Sequence, residues 1–288
     1  ARVEVLSYRG ENGELTGLGA LPPDDPADVF FDMEGYPLAA GGLEYLFGAS
    51  WIDSKTGTLN FSDWWGHDRA SEKAAFEGFI DWVYGRWSAS PAMHIYHYAA
   101  YEVSALRRLS TRHNTRQTEV DAMLRANVFV DLYQILRHGL RIGVDSYSIK
   151  AVEHLYRPGR TSDVATAMGS VVYYARWIGS GEPGDWRGSK ILEAIRAYNR
   201  DDCESTAQLA TWLRGIATKN NIPPLPPRSA AEPSEEEDAQ PVHSRVMAQR
   251  EIIEALVAKG DVNALMLVDL MDFHSRDAKP GLWRKYDR

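Results

Sequence analysis

DVFFDMEGYP, residues 28–37, combines an apolar run with two carboxylates two positions apart. Val29, Phe30 and Phe31 read as a buried β-strand, ended by Gly35 and Pro37. Residues i and i+2 of a strand share a face. Asp32 and Glu34 therefore project side by side, about 6–7 Å apart at a rise of roughly 3.3 Å per residue. Like charges on a mostly apolar strand repel each other and lose solvation. A divalent cation is the simplest compensation.

Working outward, residues 1–27 read as an irregular lead-in closed by LPPDDP. Three strand-like runs follow, Val29–Glu34, Leu43–Ser50 and Thr58–Trp64. The turn residues of PLAAGG and DSKTG between them predict an antiparallel meander. A helix is expected from Ser71 to Trp87, a short strand at 93–98 (MHIYHY) and a helix from Ala100 to Thr111. Residues 116–140 read as helical, with VFVDLY as a break or short strand. A helix near Ser148–Tyr156, a Gly-rich connection at 179–189 and a long helix from Lys190 to Thr218 complete the domain. Strands first, then alternating helix and strand, predict an α/β fold with a mixed sheet flanked by helices. Residues 219–241 read as a Pro-rich, acidic linker, and 242–288 as a helical extension with periodicity over 242–274.

Composition bounds the function. Of 288 residues, 44% are hydrophobic and 25% charged, as in ordinary soluble globular proteins. No run of 18 apolar residues predicts a spanning helix, and no basic-then-apolar leader predicts secretion, so a cytoplasmic location is the default. The single cysteine, Cys203, excludes an internal disulfide framework and a Cys-rich zinc site. A net charge of −8 does not suggest a general nucleic-acid-binding surface. However, EPSEEED at 232–238 alone holds five acids, so a local contact with nucleic acid stays compatible with it. The chain begins at Ala1 and ends in WRKYDR. An excised piece of a longer protein is expected, with loss of the initiator Met as the alternative.

Two further acids lie on inward stripes. In AIRAYNRDDCESTAQLATWLRGI, 194–216, Ile195, Tyr198, Leu209, Leu213 and Ile216 mark an apolar face at helical spacing. Asp202 falls within about 40° of Ile195, Tyr198 and Leu209 at 100° per residue, and Asp201 about 100° away from Asp202. Asp202 is therefore expected inward and Asp201 on the flank. Glu102 precedes Leu106 by four residues and Leu109 by seven, in the first turn of its helix, where the dipole favours negative charge. Buried singly, such acids would need caps or arginine partners. Four inward acids on three elements are instead reconciled by two divalent ions, and hard oxygen ligands suit Mg²⁺ or Mn²⁺ rather than zinc.

The ordered motifs DME, HYAAYE and YNRDDC resemble those of the DEDD exonucleases of the ribonuclease H-like superfamily. Tyr198 and Asp202 fit the Y-x-x-x-D pattern of the tyrosine subclass. FFDMEG, YHYAAYE, DSYSIKAVE and AYNRDDCEST resemble the ribonuclease H-like domain of predicted RecB-family nucleases more closely, over residues 25–218 and in the helical extension. The resemblance implies a ribonuclease H-like fold, with a three-strand antiparallel meander followed by parallel strands, over 28–218. It implies 3′–5′ exonucleolytic hydrolysis of DNA or RNA by two metal ions. It also implies covalently attached helicase and RecB-like nuclease domains. Glu102 departs from the wider family, which usually has Asp there, and the extra methylene bears on how the second metal is held.

The roles implied are specific. Asp32 bridges both metals, Glu34 and Asp202 complete one site, and Glu102 helps hold the other ion. Tyr198 orients the attacking water, because a phenol with a pKa near 10 is a poor base at neutral pH. His97, five residues before Glu102, either hydrogen-bonds a phosphate or is a structural strand histidine. Lys150 either neutralises substrate phosphate or is a solvated helix-start residue. Asp131 resembles a recurrent acid outside the metal site, with a structural role. Trp64 and Trp65 are core anchors or base-stacking groups. Two rival readings are a non-catalytic nucleic-acid-binding scaffold and a ribonuclease H-type endonuclease.

Overall fold

The computed structural model describes residues 2–53, 56–158 and 167–226. The chain divides into two compact units, Ala1–Pro227 and Arg228–Arg288, and the described residues all belong to the first. The chain opens with a short strand, β1 (Val3–Val5), and a 3₁₀ turn at Gly17–Ala20. The expected meander follows as β2 (Val29–Tyr36), β3 (Leu43–Ile52) and β4 (Leu59–Trp65). Helix α1 (Arg69–Ala89) starts at a capping box in which Asp68 and Ser71 satisfy each other's backbone donors. Then come β5 (Ile95–His97), α2 (Tyr101–Arg112), α3 (Gln117–Arg125) and β6 (Phe129–Asp131). The chain continues through α4 (Leu132–Gly139), β7 (Leu140–Ile142), α5 (Ile149–Val152), α6 (Ala167–Ser180) and α7 (Lys190–Lys219).

The sheet order is β4-β3-β2-β5-β6. β4, β3 and β2 pair antiparallel, whereas β2, β5 and β6 run parallel. This is the mixed sheet expected from the sequence, with an antiparallel meander followed by parallel strands, and β2 sits at its centre. The period of two along β2 and β3 divides the sheet into two faces. Phe31 and Phe47 point to α1, where Phe79 lies 4.2 and 6.0 Å away between ring centroids. Asp32 and Gly48, paired in register, lie on the opposite face beneath α7. α7 is fixed there by its apolar stripe, since Leu192, Ile195, Leu209 and Leu213 are all fully buried. Its start is set by Ser189, which accepts from the Leu192 amide at 3.1 Å.

Several expectations need correction. The lead-in is partly regular: β1 pairs antiparallel with β7, and Leu18 and Leu21 enter the core. Three residues of alternation carry too little signal to read, and the partner strand lies far along the chain. VFVDLY does contain a strand, β6, which separates α3 from α4. The helix expected over 148–156 is short, α5 followed by a 3₁₀ turn at Glu153–Leu155. Helix α6 has no counterpart among the elements expected from the sequence. The linker beyond residue 226 and the helical extension lie outside the described residues.

Candidate metal centre

Asp32 and Glu34 leave the same face of β2, and Asp202 descends on them from α7. One carboxylate oxygen from each of the three lies within 4.8 Å of the others. Glu34 and Asp202 are buried and Asp32 is half-buried. Glu102 is also buried, in the first turn of α2, and lines the same cleft as Asp32 and Glu34 without belonging to the close trio. The two neighbouring aspartates face as helical phase predicts. Asp202 faces the sheet, whereas Asp201 lies on the flank and pairs with the Arg157 guanidinium.

The carboxylates perturb one another. Burial first, then the charges of Asp202, Glu34 and Glu102, pushes the Asp32 carboxyl well above its usual range, against a hydrogen bond from Asn199. Burial, then the Asp202 charge, pushes Glu34 up to about 8, opposed by Ser170 and Lys150. Burial also raises Glu102, with His97 opposing. Oε2 of Glu102 has no hydrogen-bond partner among the described residues. His97 Nδ1 lies 3.5 Å from it but stands 2.7 Å from the Ala99 carbonyl oxygen. Crowded, desolvated carboxylates and an oxygen left over are a donor set that fits hard divalent cations.

The mutual repulsion has a pH signature. In the unfolded chain Glu34 has its ordinary value of 4.5, against about 8 in the fold. Between those values the folded chain keeps a proton that the unfolded chain has released, so stability falls as pH rises. The Tm in EDTA should decline from about pH 4.5 to 8, and Glu34→Gln should flatten that decline. Mn²⁺ should oppose the decline, because it binds the ionised carboxylates. An EDTA profile that Glu34→Gln leaves unchanged would remove Glu34 from the cluster.

Tyr198 is buried one turn before Asp202 on α7. Its hydroxyl accepts from Lys150 Nζ at 2.6 Å and donates towards Asp202. Burial and the surrounding carboxylates push the phenol well above its usual range. Lys150 also sits 4.7 Å from the Tyr198 ring centroid. Lys150 thus contacts Tyr198 and lines the same cleft as the acids.

Other expected residues fall elsewhere. His97 is buried on β5, with Nδ1 2.7 Å from the Ala99 carbonyl oxygen and 3.5 Å from Glu102. Asp131 accepts from the Tyr133 amide at 2.9 Å, capping α4, and from the Ala99 amide at 2.8 Å. Ala99 has φ of 70° in the turn that swings the chain from β5 into α2 and so brings Glu102 to the cleft. Trp64 packs against Phe79 and Trp82, and Trp65 against Tyr45 and His67, and both are half-buried.

Two clefts meet at the acids. One, of about 620 Å³, runs from Asp32, Glu34 and Asp202 to the tyrosines 98, 133 and 147. The other, of about 460 Å³, lies on the far side of Asp32 and Glu34 and reaches Arg108. The β-bulge after Glu34 shapes that side. The absence of a side chain at Gly35 leaves room for Tyr101 Oη and Glu44 Oε2, which meet in a hydrogen bond of 2.7 Å beside it.

Sequence reasoning passed over the tyrosines of the first cleft, Ser170 beside Glu34, and Asn199. Asn199 could have been found. It lies four residues after Ile195 and three before Asp202, so helical phase places its polar side chain inward.

A family model described as the RNase_H superfamily matches residues 29–214, and the chain belongs to that superfamily. No curated protein and no solved structure matches it. Membership points to a nuclease that uses divalent metal ions and binds nucleic acid. Among the described residues, no helix is long and apolar enough to cross a membrane.

Proposed function

We propose that the protein is a metal-dependent nuclease that hydrolyses phosphodiester bonds of DNA or RNA, as a 3′–5′ exonuclease using two Mg²⁺ or Mn²⁺ ions. The observation that carries this reading is the convergence of Asp32, Glu34 and Asp202 within 4.8 Å on a cleft shared with Glu102. Asp32, Glu34 and Asp202 would hold the first ion, and Asp32 with Glu102 the second. When bound, such ions ionise water and neutralise charge at the phosphate oxygens.

The chain's own residues do the rest. Tyr198, held as a neutral phenol by its raised pKa, is a poor proton acceptor at neutral pH. Its hydroxyl is fixed between Lys150 and Asp202 and serves to orient the water. The Lys150 ammonium brings positive charge to the cleft of the acids, where it would meet a substrate phosphate. Tyr98, Tyr133 and Tyr147 give the larger cleft aromatic walls, suited to stacking an unpaired terminal base without reading its sequence. The resemblance to predicted RecB-family nucleases adds helicase and RecB-like nuclease domains as covalent partners.

A second reading, a ribonuclease H-type endonuclease, draws on the smaller cleft. It continues the site beyond Asp32 and Glu34, and on this reading an uninterrupted strand would run on through it. The deciding experiment compares 3′-end-labelled and internally labelled DNA and RNA with Mn²⁺. Release of labelled mononucleotides from the 3′ end supports the exonuclease. Internal cuts in a circular substrate would replace it by the endonuclease. Wild type as inert as Asp32→Ala, despite bound metal, would leave a scaffold module.

A further inference from the structure

Between Tyr198 and Asp202, Asn199 is fully buried, and the nuclease reading gives it no task. Its Nδ2 donates to Asp32 Oδ2 at 2.7 Å. Its Oδ1 has no hydrogen-bond partner among the described residues. That oxygen occupies the space above Gly48, where a Cβ would stand only 1.7 Å from it and 2.8 Å from Asn199 Cγ. Gly48 faces Asp32 in the β2–β3 register, and its carbonyl oxygen accepts from Cys203 Sγ at 3.3 Å. At Gly48 α7 rests on strand backbone, and the amide fills the space of the missing side chain.

Packing alone does not call for asparagine here. A buried amide oxygen without a partner carries an uncompensated desolvation penalty, which an apolar side chain of similar size would avoid. The gain lies on the other end of the amide. Nδ2 has only hydrogens to offer, so it favours an ionised Asp32 and fixes the rotation of that carboxylate. The reversed amide would set its oxygen against the carboxylate, acceptor to acceptor. Gly48 seats the amide and so limits its freedom to turn.

We propose that Asn199, seated on Gly48, is the positioning residue that orients the Asp32 carboxylate for a divalent cation without itself being a ligand. The inference rests on the metal-dependent nuclease reading. Groups that orient metal ligands from behind typically contribute 10–100-fold in metal affinity.

The test uses the full chain as wild type, Asn199→Leu, Gly48→Ala and the double variant. Mn²⁺ alone is titrated calorimetrically, and melting is followed in EDTA. Asn199→Leu should melt in EDTA close to wild type, yet bind Mn²⁺ about 10–100-fold more weakly. Raising Mn²⁺ to saturation should restore most of its cleavage rate, which a packing defect would not allow. Gly48→Ala should weaken Mn²⁺ binding in the same way, and it decides the question by itself if the leucine variant fails to fold. The double variant should be no weaker than the worse single one, since both changes remove the same contact. Wild-type Mn²⁺ affinity in Asn199→Leu would overturn the proposal and leave the nuclease reading standing. A large drop of its EDTA melting temperature, with Gly48→Ala binding Mn²⁺ normally, would make Asn199 a packing residue and overturn it too. A wild type that binds no Mn²⁺ would sink both readings.

Discussion

Asp202→Asn is expected to abolish metal-dependent cleavage, while Asp201→Asn keeps most of it. The two residues are neighbours on one helix with opposite surroundings. Asp202 is buried over β2 within 4.8 Å of Asp32 and Glu34. Its amide would keep the shape and lose the charge that a cation needs. A catalytic metal contributes several kcal/mol of charge stabilisation. At about 1.4 kcal/mol per factor of ten, its loss slows the reaction by roughly 1000-fold or more. Asp201 meets Arg157 in a partly exposed pair, of the kind that contributes about 0–1 kcal/mol. Single-turnover cleavage with Mn²⁺ checks both variants. An Asp202→Asn protein within tenfold of wild type would take that carboxylate out of the site.

Tyr198→Phe should slow single-turnover cleavage roughly 10–1000-fold, the range for losing one positioned hydrogen-bonding group. The ring would remain, so the packing of α7 on the sheet should be preserved. Only the hydroxyl between Lys150 and Asp202 would go. Mn²⁺ affinity should barely change, because every carboxylate remains. That pairing of a large rate loss with intact metal binding separates water orientation from a ligand role. Equal rates for wild type and Tyr198→Phe would keep the nuclease and remove the tyrosine from its mechanism.

The parts of this site that were legible in the sequence are those that periodicity governs. Alternation along β2 puts Asp32 beside Glu34, and helical phase turns Asp202 inward and Asp201 outward. The stripe Glu102–Leu106–Leu109 is likewise buried as its spacing predicts. Periodicity reports which face is buried, and it is silent about what that face meets. The fit of Asn199 onto Gly48 joins a helix to a strand about 150 residues away, through a side chain that is missing. A strand glycine by itself reads as a weak point. The pairing of β1 with β7 is equally non-local, and three residues on each side carry no pattern to announce it. Lys150 was visible as a charge, but its contact with Tyr198 needs the turn after β7 to bring α5 over the cleft.

Ala99 carries a consequence for how this chain tolerates change. With φ at 70°, it holds a left-handed conformation that costs an alanine about 1–2 kcal/mol relative to glycine. Asp131 restrains it through the Ala99 amide, and His97 through the Ala99 carbonyl. Position 99 and Asp131 should therefore be epistatic. Asp131→Asn weakens the restraint on a strained turn, and Ala99→Gly relieves the strain that made the restraint necessary. In a wild-type background Ala99→Gly should change Tm little or raise it. In an Asp131→Asn background it should rescue both folding and the placement of Glu102. An engineer who transplants this acidic cluster to another scaffold should therefore carry over the alanine turn with its aspartate, or replace the alanine by glycine.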